Sequence, residues 1–298
     1  MKILVLNCGS SSVKFAVVDP GDGSRPLEGI AERIGGQEPG RITWHGAEGK
    51  GEQPLGAGGH EVALRAITDL VEARPALHAA LAGVGHRVVH GGERFSASVR
   101  IDAAVVQAVT DVAHLAPLHN PANLQGIAAA MAEFPNLPQV AVFDTAFHQT
   151  MPERAYLYAV PRHLHRDLGV RRYGFHGTSH RYVVAEAARL LGRSLDDCAF
   201  ISAHLGNGCS AAAVLGGRSM DTTMGLTPLE GLVMGTRSGD VDPGLHAFLA
   251  ERLNMDVAGV TQLLNKKSGL LGLSELSNDM RTLCKAADGG HAGAAKAI

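Results

Sequence analysis

The chain has 298 residues, 45% of them apolar and only 4% aromatic, which suffices for two domains of ordinary size with cores built from Val, Leu, Ile and Ala. A formal net charge of −2 excludes the basic surface of a general nucleic-acid binder and leaves room for a small anion held by a few local Arg and Lys residues. Cys8, Cys198, Cys209 and Cys284 are far apart and form no CxxC pair, and no apolar run approaches membrane-spanning length. Neither a disulfide framework, a zinc site, a signal peptide nor a membrane span is indicated, and a reducing cytoplasm fits.

Residues 2–7 and 13–18 are apolar and β-rich on either side of Cys8-Gly9-Ser10-Ser11-Ser12, which predicts a hairpin whose turn is dense in hydroxyls. The Gly-rich stretch 20–59 predicts edge strands and loops, and residues 61–71 have helical apolar spacing. A strand is expected over 83–89, running into His90-Gly91-Gly92, and a helix over 102–113. Pro117 and Pro121 bracket a loop before a helix that reaches about Phe134. Residues 138–143 read as a buried strand ending at Asp144, and strand ends are where sites gather in α/β folds. A second half starts near residue 150, with a helix over 180–191, strands over 198–204 and 211–215 around a tight turn, and helices near 243–253 and 256–265. Each half therefore offers one hairpin whose turn carries Asn, Gly and Ser; this is either a weak internal duplication or the common fate of Gly-rich hairpins.

Such turns let backbone N–H groups and hydroxyls approach phosphate oxygens, and Lys14 stands just beyond the first. Walker A and Rossmann glycine patterns are both absent, so two phosphate hairpins suggest a nucleotide held between two domains. Arg87 and Asp144 are isolated charges at apolar strand ends, and Arg237 lies in a Gly-rich loop. A buried charge must be paired or used: the pair is either structural or an anion clamp beside an acid, which suits phosphoryl transfer. Of the fifteen histidines, His176 and His180 stand four apart without the Glu of a metalloprotease motif, and His86, His90, His119, His148 and His204 are spaced too loosely for a metal site. His176 reads as a donor to a developing phosphoryl charge, or as a hydrogen-bonded structural histidine.

Nine segments, in order and spanning nearly the whole chain, resemble the acetate kinase family of carboxylate kinases, within the actin and hexokinase superfamily. They are Leu6–Lys14, Gly85–Gly92, Ala116–Pro121, Phe143–His148, Arg172–His180, His204–Gly208, Met224–Leu232, Gly235–Asp240 and Ser277–Arg281. The resemblance implies an α/β fold of duplicated ribonuclease H-like domains, residues 1–148 and 149–298, with mixed central sheets and a cleft between them. It implies reversible transfer between ATP and acetate, giving acetyl phosphate and ADP, with propionate as an alternative acceptor, Mg2+ or Mn2+ as cofactor, and a homodimer.

By the same resemblance Asn7 matches a magnesium-site residue. Lys14, His204, Leu205, Gly206, Asn207 and Gly208 match nucleotide-phosphate contacts, and Asp279, Met280 and Arg281 a nucleotide-contacting segment. Arg87 matches the substrate arginine. Val89, Leu118, Phe175 and Pro228 match an acyl pocket, which would not suit a sugar. Asp144, His176 and Arg237 match the catalytic residues. A carboxylate of pKa about 4 is already ionised and needs no general base, so Asp144 is expected to organise the metal rather than abstract a proton. A later Gly-rich turn and metal-binding Glu of the family are not found in these residues. A C-terminally truncated chain with an incomplete second domain is therefore expected, which would make this a non-catalytic fragment or a kinase that works without those parts.

Overall fold

The computed structural model describes residues 1–36, 38–117 and 119–298, which fall into two compact units, Met1–Ala146 and Phe147–Ile298. The expectation placed on Leu118 lies outside the described residues.

The first unit is built on an eight-stranded mixed sheet. Its strands are β1 (Lys2–Cys8), β2 (Ser12–Val18), β3 (Leu27–Glu32), β4 (Arg41–Gly46), β5 (Gly49–Pro54), β6 (Leu81–Val88), β7 (Val99–Arg100) and β8 (Gln139–Phe143), in the order β5-β4-β3-β2-β1-β6-β8-β7. Four consecutive antiparallel pairings run from β1 to β5, and β3, β4 and β5 form the edge expected from the Gly-rich segment. At the centre β1, β6 and β8 run parallel, so their carboxyl ends lie side by side.

Helices α1 (His60–Glu72), α2 (Pro75–Ala79), α3 (Ala103–Asp111) and α4 (Asn120–Glu133) complete the unit. Alternation in β1 and β2 turns Leu4, Leu6, Val13, Phe15 and Val17 inward, where they share one core with Ala63, Leu64, Ile67, Leu70 and Val71 of α1. A smaller core joins Val88, Val109, Ile127 and Ala141, with Phe95 stacked on Phe143 at 4.4 Å between centroids. Helix α4 approaches β1 closely because it carries Gly126: a Cβ there would stand 2.2 Å from Cys8 Sγ.

The expected strand over 83–89 begins at Leu81 and stops at Val88, because the Val89 amide is taken by a side chain rather than by a neighbouring strand. The helix expected to reach residue 113 ends at Asp111 and tightens into a 3-10 turn over Ala113–Leu115.

The second unit holds α5 (Glu153–Tyr156), α6 (Arg162–Leu168), α7 (Gly177–Leu190) and the strands β9 (Ala199–Leu205), β10 (Cys209–Leu215) and β11 (Arg218–Thr222). Helices α8 (Leu245–Leu253), α9 (Val257–Lys266), α10 (Gly269–Ser274), α11 (Met280–Asp288) and α12 (Ala292–Ala297) follow. Among the described residues its sheet is antiparallel throughout, in the order β11-β10-β9, so the mixed sheet belongs to the first unit alone.

Helix α7 lies on one face of this sheet. The contact is apolar at one end, around Val184, Ala212, Val214 and Phe200, and polar at the other, around His180, Ser202 and Ser210. The opposite face of β9 leaves Ile201 80% and Leu205 78% exposed. Helix α7 starts three residues before the expected position: Gly177 occupies its first turn, where a glycine costs less than in the interior.

Candidate functional site

In the first unit three of the expected residues meet at the ends of the three parallel strands. Asn7 is the penultimate residue of β1, Arg87 the penultimate residue of β6, and Asp144 follows β8 directly. Arg87 Nε donates to Asp144 Oδ1 and Oδ2 at 3.0 and 3.1 Å, and Nη2 donates to Oδ2 at 2.6 Å. Nη1 makes a longer contact of 3.5 Å to Asn7 Oδ1.

The Asp144 side chain is 3% exposed whereas that of Arg87 is 40% exposed, so the pair presents its cationic side to solvent. The Asp144 charge raises the guanidinium pKa further, so Arg87 stays charged. Asn7 and Lys14 are opposite each other in the β1–β2 ladder and both line a depression of about 850 Å³ on the outer sheet face, shared with Glu28, His45 and Lys50. Val89 is buried immediately after β6.

Two asparagines that the sequence reading passed over hold this edge. Asn123 of α4 accepts from the Val89 amide at 3.0 Å and donates to the Cys8 carbonyl at 2.7 Å, tying the end of β6 to the end of β1. Asn120 accepts from His90 N at 3.1 Å and donates to His90 O at 3.0 Å, while Thr145 Oγ1 accepts from Gly91 N. Buried backbone groups outside a ladder need such partners. The available signal was two Asn residues three apart at the start of a largely apolar helix.

In the second unit a different set converges on the turn between β9 and β10. His176 precedes α7 in the left-handed conformation (φ 58°), uncommon for a residue with a side chain and typical of sites where surrounding contacts hold it. His148 supports it. Its Nε2 donates to the Phe175 carbonyl at 3.0 Å, so in the neutral ring Nδ1 accepts from Ser219 Oγ at 2.8 Å. Burial pushes the His148 pKa down to about 4, which keeps that ring neutral.

The rings of His176 and His204 stack at 4.0 Å, and His204 Nδ1 meets Ser179 Oγ at 2.9 Å. A Cβ on Gly208 would sit 3.3 Å from His176 Nε2 and 3.5 Å from Arg237 Nη1, so the absent side chain leaves a small space that both groups face. Arg237 is aimed by a bond from Nη1 to the Pro228 carbonyl at 3.0 Å, and its loop is clasped by Ser238 N donating to Leu264 O. Phe175 is buried, with 1% exposure, and Pro228 is half-buried.

Leu205, Gly206 and Asn207 are exposed around the turn, and Asn207 Oδ1 accepts from Asn278 Nδ2 at 2.7 Å. That bond joins the turn to the segment Asp279, Met280 and Arg281. Within that segment Asp279 caps α11 through Thr282 N and Oγ1, and these bonds lower its pKa.

A further cluster went unread in the sequence. Glu230 accepts from Tyr158 Oη and from Arg172 Nη2, and Arg172 also donates to the carbonyls of Thr222, Thr223 and Met224. It anchors the segment that carries Pro228. Gly225 is required there, since a Cβ would fall on the Glu230 carboxylate.

Chemically, the first unit offers an arginine locked to a carboxylate beside an amide oxygen. The second offers a histidine and an arginine beside a side-chain-free turn. These are donors and cations suited to binding oxyanions.

Known proteins agree with this chemistry. Residues 2–298 match the model of the acetokinase family. An acetate kinase of Ectopseudomonas mendocina is 57% identical over 298 residues, covering 99% of this chain and 74% of that protein, and one of Pseudomonas aeruginosa is 56% identical over 296 residues with the same coverage. Among solved structures, a propionate kinase from Francisella tularensis superposes with a TM-score of 0.94 at 46% identity, covering 99% of this chain and 76% of that one. The acetate kinase of Porphyromonas gingivalis gives 0.93 at 45%, covering 99% and 75%.

Proposed function

We propose that this chain, which belongs to the acetokinase family, transfers the γ-phosphoryl group of ATP to the carboxylate of acetate, giving acetyl phosphate and ADP, and catalyses the reverse transfer. The observation that carries this reading is the convergence of His176 Nε2 and Arg237 Nη1 on the space beside Gly208. Two such donors are what a phosphoryl group needs while its negative charge is spread over three equatorial oxygens.

Acetate arrives ionised and attacks through a carboxylate oxygen, so no base is required. Arg87 holds that carboxylate and offsets its repulsion from the phosphate. Two of the guanidinium nitrogens serve Asp144, and Nη1 points toward Asn7. Asp144 has both oxygens engaged by Arg87, which supports a role in ordering the arginine and the metal rather than in taking a proton.

Asn7 and Asp144 are hard oxygen donors but few. They fit a magnesium ion that brings most of its ligands as water and nucleotide phosphates. That ion would neutralise phosphate charge, with manganese as its substitute. Lys14 and the His204–Gly208 turn would contact the nucleotide phosphates, and Asp279, Met280 and Arg281 the rest of the nucleotide. Val89, Phe175 and Pro228 would supply apolar contacts to the methyl group.

Propionate is a second acceptor, favoured by the similarity to the Francisella enzyme. One methylene in an apolar pocket changes discrimination by only about 1–3 kcal/mol. The apolar side chains exposed on the second unit, including Tyr182, Leu190 and Ile201, support a homodimer, which sedimentation velocity would detect. A cytoplasmic location goes with ATP as donor and with four cysteines that form no disulfide.

The test is magnesium- and ATP-dependent acyl phosphate formation from acetate and from propionate, trapped with hydroxylamine, beside Arg87→Ala. Product that disappears with Arg87→Ala is the expected result. A folded chain that makes none, or an Arg87→Ala chain as active as the parent, overturns the reading.

A further inference from the structure

The polar end of the α7–sheet contact is a chain of side chains leading to His176. Ser202 Oγ lies 3.0 Å from His180 Nδ1, Ser210 Oγ lies 2.8 Å from His180 Nε2, and the same Ser210 oxygen lies 2.9 Å from His176 Nδ1. Ser202, His180 and Ser210 are all buried, with 4%, 0% and 0% exposure. A hydroxyl has one proton to give, and a neutral imidazole has one N–H. Burial keeps His180 neutral, with its pKa pushed down to about 4.

With His180 neutral, a pattern in which both rings donate to Ser210 strands the buried Ser210 proton, which leaves two patterns to weigh. In one, Ser202 donates to His180 Nδ1, His180 Nε2–H donates to Ser210, and Ser210 donates to His176 Nδ1. In the other every bond is reversed: His176 Nδ1–H donates to Ser210, Ser210 to His180 Nε2, and His180 Nδ1–H to Ser202. The reversed pattern leaves the Ser202 hydroxyl proton needing another acceptor, and this buried hydroxyl has no second partner among the described residues. An unmet buried donor costs about 1–3 kcal/mol, so the first pattern wins.

We propose that Ser210, its hydroxyl shared between His180 and His176, is a positioning residue that holds His176 in the tautomer with the proton on Nε2, the nitrogen that faces Gly208. This rests on the reading of His176 as a donor to the transferring phosphoryl group. The reversed pattern would leave a neutral His176 with no proton on Nε2, and that lone pair repels a phosphoryl oxygen instead of binding it. One buried hydroxyl thereby selects whether the ring can act. His180, four residues along α7, relays the choice from Ser202 without touching substrate.

The experiment is nitrogen-15 NMR of the histidine-labelled full chain near neutral pH, with the His176 ring assigned by its loss in His176→Gln. In the parent, Nδ1 is expected in the unprotonated range and Nε2 in the protonated range. In Ser210→Ala the two nitrogens should move toward the averaged values of a ring exchanging tautomers. Kinetically, Ser210→Ala should lower kcat by roughly 10–100-fold, the size of effect seen when the hydrogen-bond partner of a metal-bound histidine is removed, with little change in KM for acetate or ATP. Ser210→Cys, which keeps a weak donor at nearly the same volume, should fall between.

A parent His176 protonated on Nδ1 and bare on Nε2 overturns the proposal without any variant, as does an Ser210→Ala protein with parental ring shifts. Should the parent show no acetyl phosphate formation while the ring shifts behave as expected, the relay stands and the assignment of the reaction falls.

Discussion

Arg87 grips Asp144 through two nitrogens, with the shortest contact, Nη2 to Oδ2, at 2.6 Å, and it does so at the carboxyl end of two adjacent parallel strands. The carboxylate is buried and the arginine side chain only half-buried, so the two partners carry different obligations.

Removing Arg87 alone leaves the buried Asp144 carboxylate without its partner, which should cost about 3–5 kcal/mol of stability in addition to the loss of activity. Replacing both, as Arg87→Met with Asp144→Leu, should restore most of that stability and none of the activity. Urea denaturation of the two single variants and the double checks this. If Arg87→Ala is as stable as the parent, the pair is not the anchor described here.

Asn123 satisfies two buried backbone groups at once. Asn123→Ala should therefore cost about 2–6 kcal/mol, at roughly 1–3 kcal/mol for each group left unmet. Because those groups belong to Cys8 and Val89, beside Asn7 and Arg87, the activity of the fraction that stays folded should fall too. A urea midpoint equal to the parent's would show that water replaces the amide without loss.

Gly208→Ala places a methyl group 3.3 Å from His176 Nε2 and 3.5 Å from Arg237 Nη1. The expected outcome is at least a tenfold loss of kcat with a melting temperature within a few degrees of the parent's, since the change is confined to a half-exposed turn. Full activity would mean that the phosphoryl group does not occupy this space.

His90, His148 and His180 are fully buried, and burial lowers the pKa of each to about 4. The unfolded chain takes up these protons near pH 6.5, the folded chain only near pH 4. Between those values the unfolded state holds more protons, so stability falls as the pH is lowered through this window and is independent of these groups above it. Each histidine contributes about 1.4 kcal/mol per pH unit inside the window. Urea midpoints at pH 7.5 and pH 5.0 should differ clearly; equal midpoints would mean that none of the three rings is held neutral by burial in the folded state.

Much of this was legible in the residues. The apolar alternation of β1 and β2 and the helical spacing of α1 gave correct elements because each buries one face against a core. Arg87 and Asp144 stood out because an isolated charge beside an apolar run needs a partner. The two Gly-rich turns stood out because little else fits a glycine and serine run between strands. Asn120, Asn123, Ser202 and Ser210 did not stand out. Their value lies in which distant backbone or ring nitrogen they meet, and nothing local in a polar residue reports that. Likewise Glu230 lies 58 positions from Arg172 and 72 from Tyr158, so only folding reveals them as one cluster.

The close approach of α4 to β1 at Gly126 buries Cys8, and burial pushes its thiol pKa up to about 12. Cys198 is buried as well, Cys209 is half-buried with a raised pKa, and Cys284 alone of the four is exposed, on α11. A maleimide fluorophore added at neutral pH should therefore settle on Cys284, five residues beyond Asp279. The native chain carries its own single attachment point for an optical reporter of nucleotide arrival, with no cysteine to remove first.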